Sequence, residues 1–282
     1  MKKISLNELP AWSAWPKRLL GVVEWKKPHR DTSKVENEYN LDKYAKCLEF
    51  LKASSPQASM EAVKTFELGP DNQETCVSVG DELAIMPLRE ARAGYYKLIA
   101  EHIKQEFEDG ITVVELGCGY GYNLSMLNEK MGPNKSQWWG GEYSLNAVEV
   151  GKILHADTAG KISVQPFNFY DADYDLPKGG KLLIYTAHAI EQLPDASNVV
   201  AALAKHKSRI KAVIHFEPGY DLQNESLLDL MRKRYFEIND YNQNLVAVLK
   251  KHEADVEILE ATRNVFGLNP FNPTSIVKWK FR

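Results

Sequence analysis

The sequence predicts an α/β fold: a doubly wound, mostly parallel seven-stranded sheet with an antiparallel C-terminal hairpin, preceded by a helical N-terminal cap. Three observations predict it. A β-branched run at 111–116 passes directly into a glycine turn and then a helical segment. Further short apolar runs alternate with helix-length segments as far as Phe216, the pattern of strand–helix–strand units. Two last runs, 256–261 and 275–279, follow each other with no helix between, so they pair antiparallel.

The elements follow in order. Residues 89–107 read as a helix with Ala93, Tyr96, Ile99, Ala100 and Ile103 on one face. Asp109-Gly110 bounds the first strand, 111–116, and a helix covers 122–131. The second strand is 138–142. Ser144 is placed to cap the helix at 144–155, because its hydroxyl can accept from a free backbone amide. Strands at 162–167, 181–186 and 212–216 alternate with a turn at Ile190 and a helix at 198–206; helices at 225–234 and 241–252 precede the closing pair.

Residues 1–88 differ in character. Trp12, Trp15 and Trp25 lie among Pro10, Pro16 and Pro28, and 36–52 reads as an amphipathic helix carrying Tyr39, Leu41, Tyr44, Leu48 and Leu51. A break falls at 54–56 and a turn at 69–72, and no strand order is evident. The segment is expected to be a cap or lid on a second unit at 89–282.

Composition narrows the function. The chain has 282 residues, 44% hydrophobic and 26% charged, as ordinary globular proteins have. Its net charge of −3 offers nucleic acid or an anionic membrane no overall attraction, and no run reaches the length of a membrane span. Neither partner is expected; a homodimer is compatible with the chain. Cys47, Cys76 and Cys118 form no metal or disulfide pattern, and MKKISLNELPAW lacks a signal-peptide core, so a reducing cytoplasm is expected.

The chemistry concentrates at Glu115-Leu116-Gly117-Cys118-Gly119-Tyr120-Gly121. A dinucleotide fingerprint, G-x-G-x-x-G, faces a pyrophosphate with backbone amides. Here an acid precedes glycines at alternate positions; it would repel phosphate and suits a cationic or hydroxyl-rich ligand. In this acid-x-G-x-G-x-G run the chain resembles the class I S-adenosylmethionine-dependent methyltransferases, which have a Rossmann-like fold. The resemblance covers about residues 89–282.

The resemblance implies S-adenosylmethionine as cofactor and methyl transfer to O or N of an acceptor. It assigns Glu115, Gly117, Cys118, Gly119 and Gly121 to the loop holding the methionine end, Cys118 as a small residue without chemistry of its own. Glu142 stands about 20 residues beyond the glycines, where a carboxylate can accept from ribose hydroxyls, and Tyr143 would lie against adenine. Phe167-Asn168-Phe169 replaces the family's Gly-Asp pair; Asn168 can still accept from an amino group, with Phe169 beside it and Asp171 as a rival. After the fourth strand, Thr186 would touch cofactor by its backbone. The run from His188 to Asp195 is similar to the H-x-x-E-H-x-P-D of many small-molecule methyltransferases, with Gln192 in place of the second histidine.

Methyl transfer needs alignment and, for a hydroxyl acceptor, a base. His188 is the expected base, with Glu191 orienting it, and His215 and Glu217 are further candidates. These four could also hold a metal, but no close-spaced ligand motif supports one, so none is expected. The loop 263–273, rich in amides and aromatics, suits a small polar molecule or a saccharide as partner. Two other functions compete: a non-catalytic cofactor-binding or scaffold protein, and a nicotinamide oxidoreductase. The intact glycine loop and Glu142 weigh against the first, Glu115 and the glycine spacing against the second.

Overall fold

The computed structural model describes residues 1–54 and 56–282. The chain opens with β1 (Lys2–Ile4) and α1 (Trp15–Leu19), which has Pro16 in its first turn, where a missing N–H does no harm. α2 (Thr32–Val35) starts at Asp31, whose side chain accepts from Lys34 N. It runs into a π-helical stretch, Glu36–Tyr44, and on into α3 (Ala45–Ala53). The helix expected at 36–52 is therefore present, but its first half takes the wider hydrogen-bonding pattern. Ser55, inside the expected break, lies outside the described residues. α4 (Met60–Leu68) follows, capped by Ser59.

The expectation of no strand order before residue 88 is corrected. β2 (Glu74–Val79) and β3 (Glu82–Pro87) form an antiparallel hairpin, and β1 adds to β3, giving the order β1-β3-β2. The hairpin turns on Gly80-Asp81, and Gly80 has φ +61°. A two-residue glycine turn of this kind matches the twist of paired strands, so the signal was in the sequence. The pairing of β1 is non-local and left none.

The doubly wound unit follows as α5 (Leu88–Glu106), β4 (Thr112–Leu116), α6 (Tyr122–Lys130), β5 (Gln137–Glu142), α7 (Leu145–Leu154) and β6 (Ile162–Pro166). Then come β7 (Leu182–Ala187), α8 (Ser197–Ala204), β8 (Ile210–Glu217), α9 (Leu227–Asn239), α10 (Leu245–Lys251), β9 (Val256–Phe266) and β10 (Thr274–Phe281). The seven strands lie in the order β6-β5-β4-β7-β8-β10-β9. The first five are parallel; β10 is antiparallel to both β8 and β9. The closing pair is longer than expected, and the helix expected at 241–252 begins only at Leu245.

Strand periodicity sorts the core into two layers. Val114, Leu116, Leu182 and Ile184 face α8 and α10, against Val199, Leu203, Leu245 and Leu249. Val113, Leu183, Tyr185 and Ile214 face the other way, against Ile99, Ile103, Leu124 and Leu127. Ala93, expected on the inward face of α5, is exposed; Ala91 is buried instead. Each fully buried aliphatic side chain here contributes about 1.5–3 kcal/mol. Both sheet faces are covered, which is why the parallel strands read as unbroken apolar runs.

The described part of the first 88 residues packs on the rest through several clusters, among them Val77 and Ala84 against Ala91 and Phe266, and two larger ones. α1, β2 and β3 bury Leu19, Cys76, Leu83 and Ile85 against Leu228, Tyr235 and Ile238 of α9. The π-helical stretch, α3 and α4 bury Tyr44, Cys47, Leu51 and Val63 against Tyr120, Ala147 and Val150. The second contact lies directly over the glycine turn.

Candidate functional site

The C-terminal ends of β4, β5, β6 and β7 lie side by side, and the chain winds outward from β4 in both directions. Such a reversal leaves a crevice. A cleft occupies it. Gly117 lines it from β4, Glu142 and Tyr143 from β5, Asn168, Phe169 and Tyr170 from the segment after β6, and His188, Ala189, Gln192 and Leu193 from that after β7. Thr32, Val35 and Tyr39 close it from the N-terminal side.

The glycine turn requires glycine. Gly117 has φ +80°, and a Cβ there would lie 2.4 Å from Ala189 Cβ. Gly119 has φ +56°, and a Cβ would lie 2.7 Å from Tyr44 Oη. The Gly119 amide donates to Glu142 Oε2 at 2.7 Å, and the Ser144 amide donates to Oε1 at 2.8 Å. Ser144 also caps α7 as expected, accepting from Ala147 N. Burial raises the Glu142 carboxyl above its usual range despite these donors. Each oxygen keeps a further lone pair for a hydroxyl in the cleft.

Glu115 has a different setting. It is buried, Asn123 Nδ2 donates to Oε1 at 2.7 Å, and Tyr185 Oη donates to Oε2 at 2.9 Å. Burial pushes its carboxyl up to about 8. It ties α6 and β7 to β4 and does not line the cleft. Cys118 is likewise buried behind the turn, with burial pushing its thiol up. Gly121 starts α6 at φ +83°, against His155.

After β6, Phe169 meets Phe167 edge to face at 4.9 Å between centroids, and Tyr174 Oη donates to its carbonyl. The Asn168 side-chain oxygen already accepts from Tyr170 N at 3.0 Å, a turn-forming use of asparagine. Asp171 is exposed outside the cleft.

His188 has φ +54°, an uncommon conformation for a residue with a side chain. Its Nδ1 is 3.1 Å from Glu191 Oε2, and its Nε2 is 2.8 Å from Thr274 Oγ1. Burial lowers its pKa, but the Glu191 and Glu217 carboxylates outweigh that, and the net shift is upward. Asn272 Nδ2 donates to the same Glu191 oxygen at 2.9 Å. Glu217 accepts from the amides of Ala189 (2.9 Å) and Glu191 (3.2 Å), and burial pushes it up to about 7. It shapes the turn that carries His188.

His215 does not fit the role of base. Trp279 Nε1 donates to its Nε2 at 3.0 Å, so Nδ1 carries the proton and faces Thr186 Oγ1 at 3.0 Å. It is enclosed, and burial lowers its pKa to about 3. Thr186 is equally enclosed and is not among the cleft-lining residues. Among the described residues, no three His, Cys, Asp or Glu side chains group as a metal ion would need.

Sequence reasoning missed the N-terminal contribution. Asn40 Oδ1 accepts from Ser144 Oγ at 2.8 Å and Asn146 N at 2.9 Å, so the π-helical stretch is fastened to the start of α7 beside Glu142. Gln192 donates to Glu191 at 3.0 Å and accepts from the buried Arg30 guanidinium, which also lies over the Tyr241 ring at 4.7 Å. The apolar face with Tyr39 and Tyr44 was legible; what it covers was not.

No protein-family model matches the chain, and no curated protein sequence matches it. Solved structures do. Magnesium protoporphyrin IX methyltransferase from Synechocystis PCC 6803, with bound S-adenosylhomocysteine, superposes with a TM-score of 0.53 at 14% identity, over 89% of this chain and 100% of that one. Geranyl diphosphate C-methyltransferase from Streptomyces coelicolor A3(2) follows at 0.48 and 12% identity, over 69% and 82%. A methyltransferase from Aquifex aeolicus gives 0.42 and 15%, over 64% and 89%. The chain thus has the Rossmann-like fold of the class I S-adenosylmethionine-dependent methyltransferases.

Proposed function

We propose that the protein is an S-adenosylmethionine-dependent methyltransferase acting on O or N of a small polar molecule or saccharide. The observation that carries this is the buried Glu142 carboxylate at the strand end beside the switch point, fixed by the Gly119 and Ser144 amides and turned to a largely apolar cleft. A ribose diol fits its remaining lone pairs. Among the described residues, no lysine or arginine lines the cleft to meet a pyrophosphate. Gly117 leaves its backbone open for the methionine end, and Tyr143 and Phe169 flank the place for a base.

When bound, the cofactor supplies an electrophilic methyl group on a sulfonium. The chain's own work is to hold, orient and move a proton. Residues 1–88 act as the cap, with Tyr39 and Val35 excluding water. His188 is the proton acceptor at Nε2 once the Thr274 hydroxyl turns away, and Glu191, itself held by Asn272, keeps Nδ1–H in place. The test is transfer of labelled methyl from S-adenosylmethionine to a panel of sugars, polyols and small amines. Transfer to at least one, lost in Glu142→Ala, is expected; no transfer to any polar acceptor would overturn this acceptor class.

A further inference from the structure

The loop from Trp15 to Trp25 closes on itself and holds an apolar tip in solvent. Trp15 and Trp25 meet edge to face at 4.9 Å between centroids, and the Arg18 guanidinium lies over both rings at 4.8 and 4.6 Å. The backbone is tied across: Val22 N donates to Lys17 O at 2.8 Å, Leu20 N to Pro16 O at 3.1 Å, and Gly21 N to Arg18 O at 3.1 Å. Leu19 is buried beneath, and Trp25 Nε1 donates to Ile238 O at 3.2 Å. These ties hold the backbone of Leu20, Val22 and Val23 while their side chains stand in solvent. Leu20 is 73% exposed, Val22 72% and Val23 45%, with Trp12 at 41% beside the loop.

One exposed leucine needs no explanation. Three large apolar side chains on a braced tip gain nothing from folding and point to a partner. The charges around it identify the partner. Lys17, Lys26 and Lys27 are exposed, and Lys17 and Lys26 are in no ion pair among the described residues. Lys27 pairs with Asp240 at 3.0 Å, and Glu24 is the loop's one carboxylate. An apolar tip with tryptophan at its base and a basic collar is the arrangement that seats in a headgroup layer.

We propose that this loop docks the protein on an anionic lipid surface, with Leu20, Val22 and Val23 entering the acyl boundary and Lys17 and Lys26 meeting phosphates. The overall charge and the lack of a spanning run gave no reason to expect a membrane, because this contact is local and peripheral. A charge acts over about 8 Å at physiological salt, so the collar rather than the net −3 decides.

Co-sedimentation of the full chain with phosphatidylcholine vesicles, with and without phosphatidylglycerol, tests it. Pelleting on the anionic vesicles, weakened by salt, is expected. The Leu20→Asp/Val22→Asp variant should bind roughly tenfold or more weakly at an unchanged melting temperature. If that variant melts early, Val22→Ser, which alters only exposed atoms, carries the same comparison. Lys17→Glu/Lys26→Glu should lose the preference for phosphatidylglycerol. Failure to pellet, or equal binding by the tip variants, would overturn the proposal. So would a lipid-free dimer that the tip variants abolish, since the tip would then be a self-contact.

Discussion

Glu115 accepts from Asn123 and Tyr185 inside the sheet, while Glu142, one strand away, faces the cleft. Their folded states titrate accordingly. The Glu115 carboxyl is pushed from 4.5 to about 8 by burial, so between those values the folded chain holds a proton that the unfolded chain has lost. Stability therefore falls as pH rises through that window. Glu115→Gln keeps an acceptor for Asn123, turns the contact with Tyr185 round so that the amide donates to the phenol oxygen, and removes this titration. Its melting temperature should decline less than the parent's between pH 5 and pH 8.5. Equal slopes by calorimetry would contradict the placement. His188 should titrate above the ordinary histidine range in NMR spectra, and Glu191→Gln should bring its pKa down. Spacing alone made both acids legible as candidates. It did not say which way each points, because that is set by the neighbours on α6 and β7.

Two elements brace the site from its flanks. Buried Arg232 on α9 reaches Asp229 at 3.3 Å, Asp81 at 3.0 Å, the Gly80 carbonyl and the Pro270 carbonyl. It thereby fixes the β2–β3 turn and the loop that presents Asn272 and Thr274 to Glu191 and His188. Arg232→Met leaves Asp229 buried with one cation fewer and should cost about 3 kcal/mol in denaturant unfolding. No loss would show that Arg263, 3.0 Å from Asp229, suffices alone. The π-helical stretch is the other element. Asn40→Ala removes the acceptor for Ser144 and Asn146 and should lower stability by about 1–2 kcal/mol and expose the segment to proteases. The parallel strands were legible from their apolar runs and the switch to helical periodicity. The N-terminal hairpin was not read despite Gly80-Asp81, since its strands carry Glu74 and Glu82 at their ends and form a sheet only with the distant β1.

At the scale of the whole molecule, the strand order places four strand ends around one crevice, and the N-terminal 88 residues lie across it through Tyr39, Asn40 and Arg30. If these residues cover a ligand, hydrogen exchange at 32–44 and 188–193 should slow when S-adenosylhomocysteine is added, while the β9–β10 pair stays unchanged. The measurement that bears most directly on the central reading is calorimetric titration of the full chain with S-adenosylhomocysteine and, separately, with NAD. Saturable binding of S-adenosylhomocysteine, weakened roughly tenfold or more in Glu142→Ala, with none of NAD, is the predicted result. Binding of NAD without S-adenosylhomocysteine, or binding indifferent to Glu142, would contradict it.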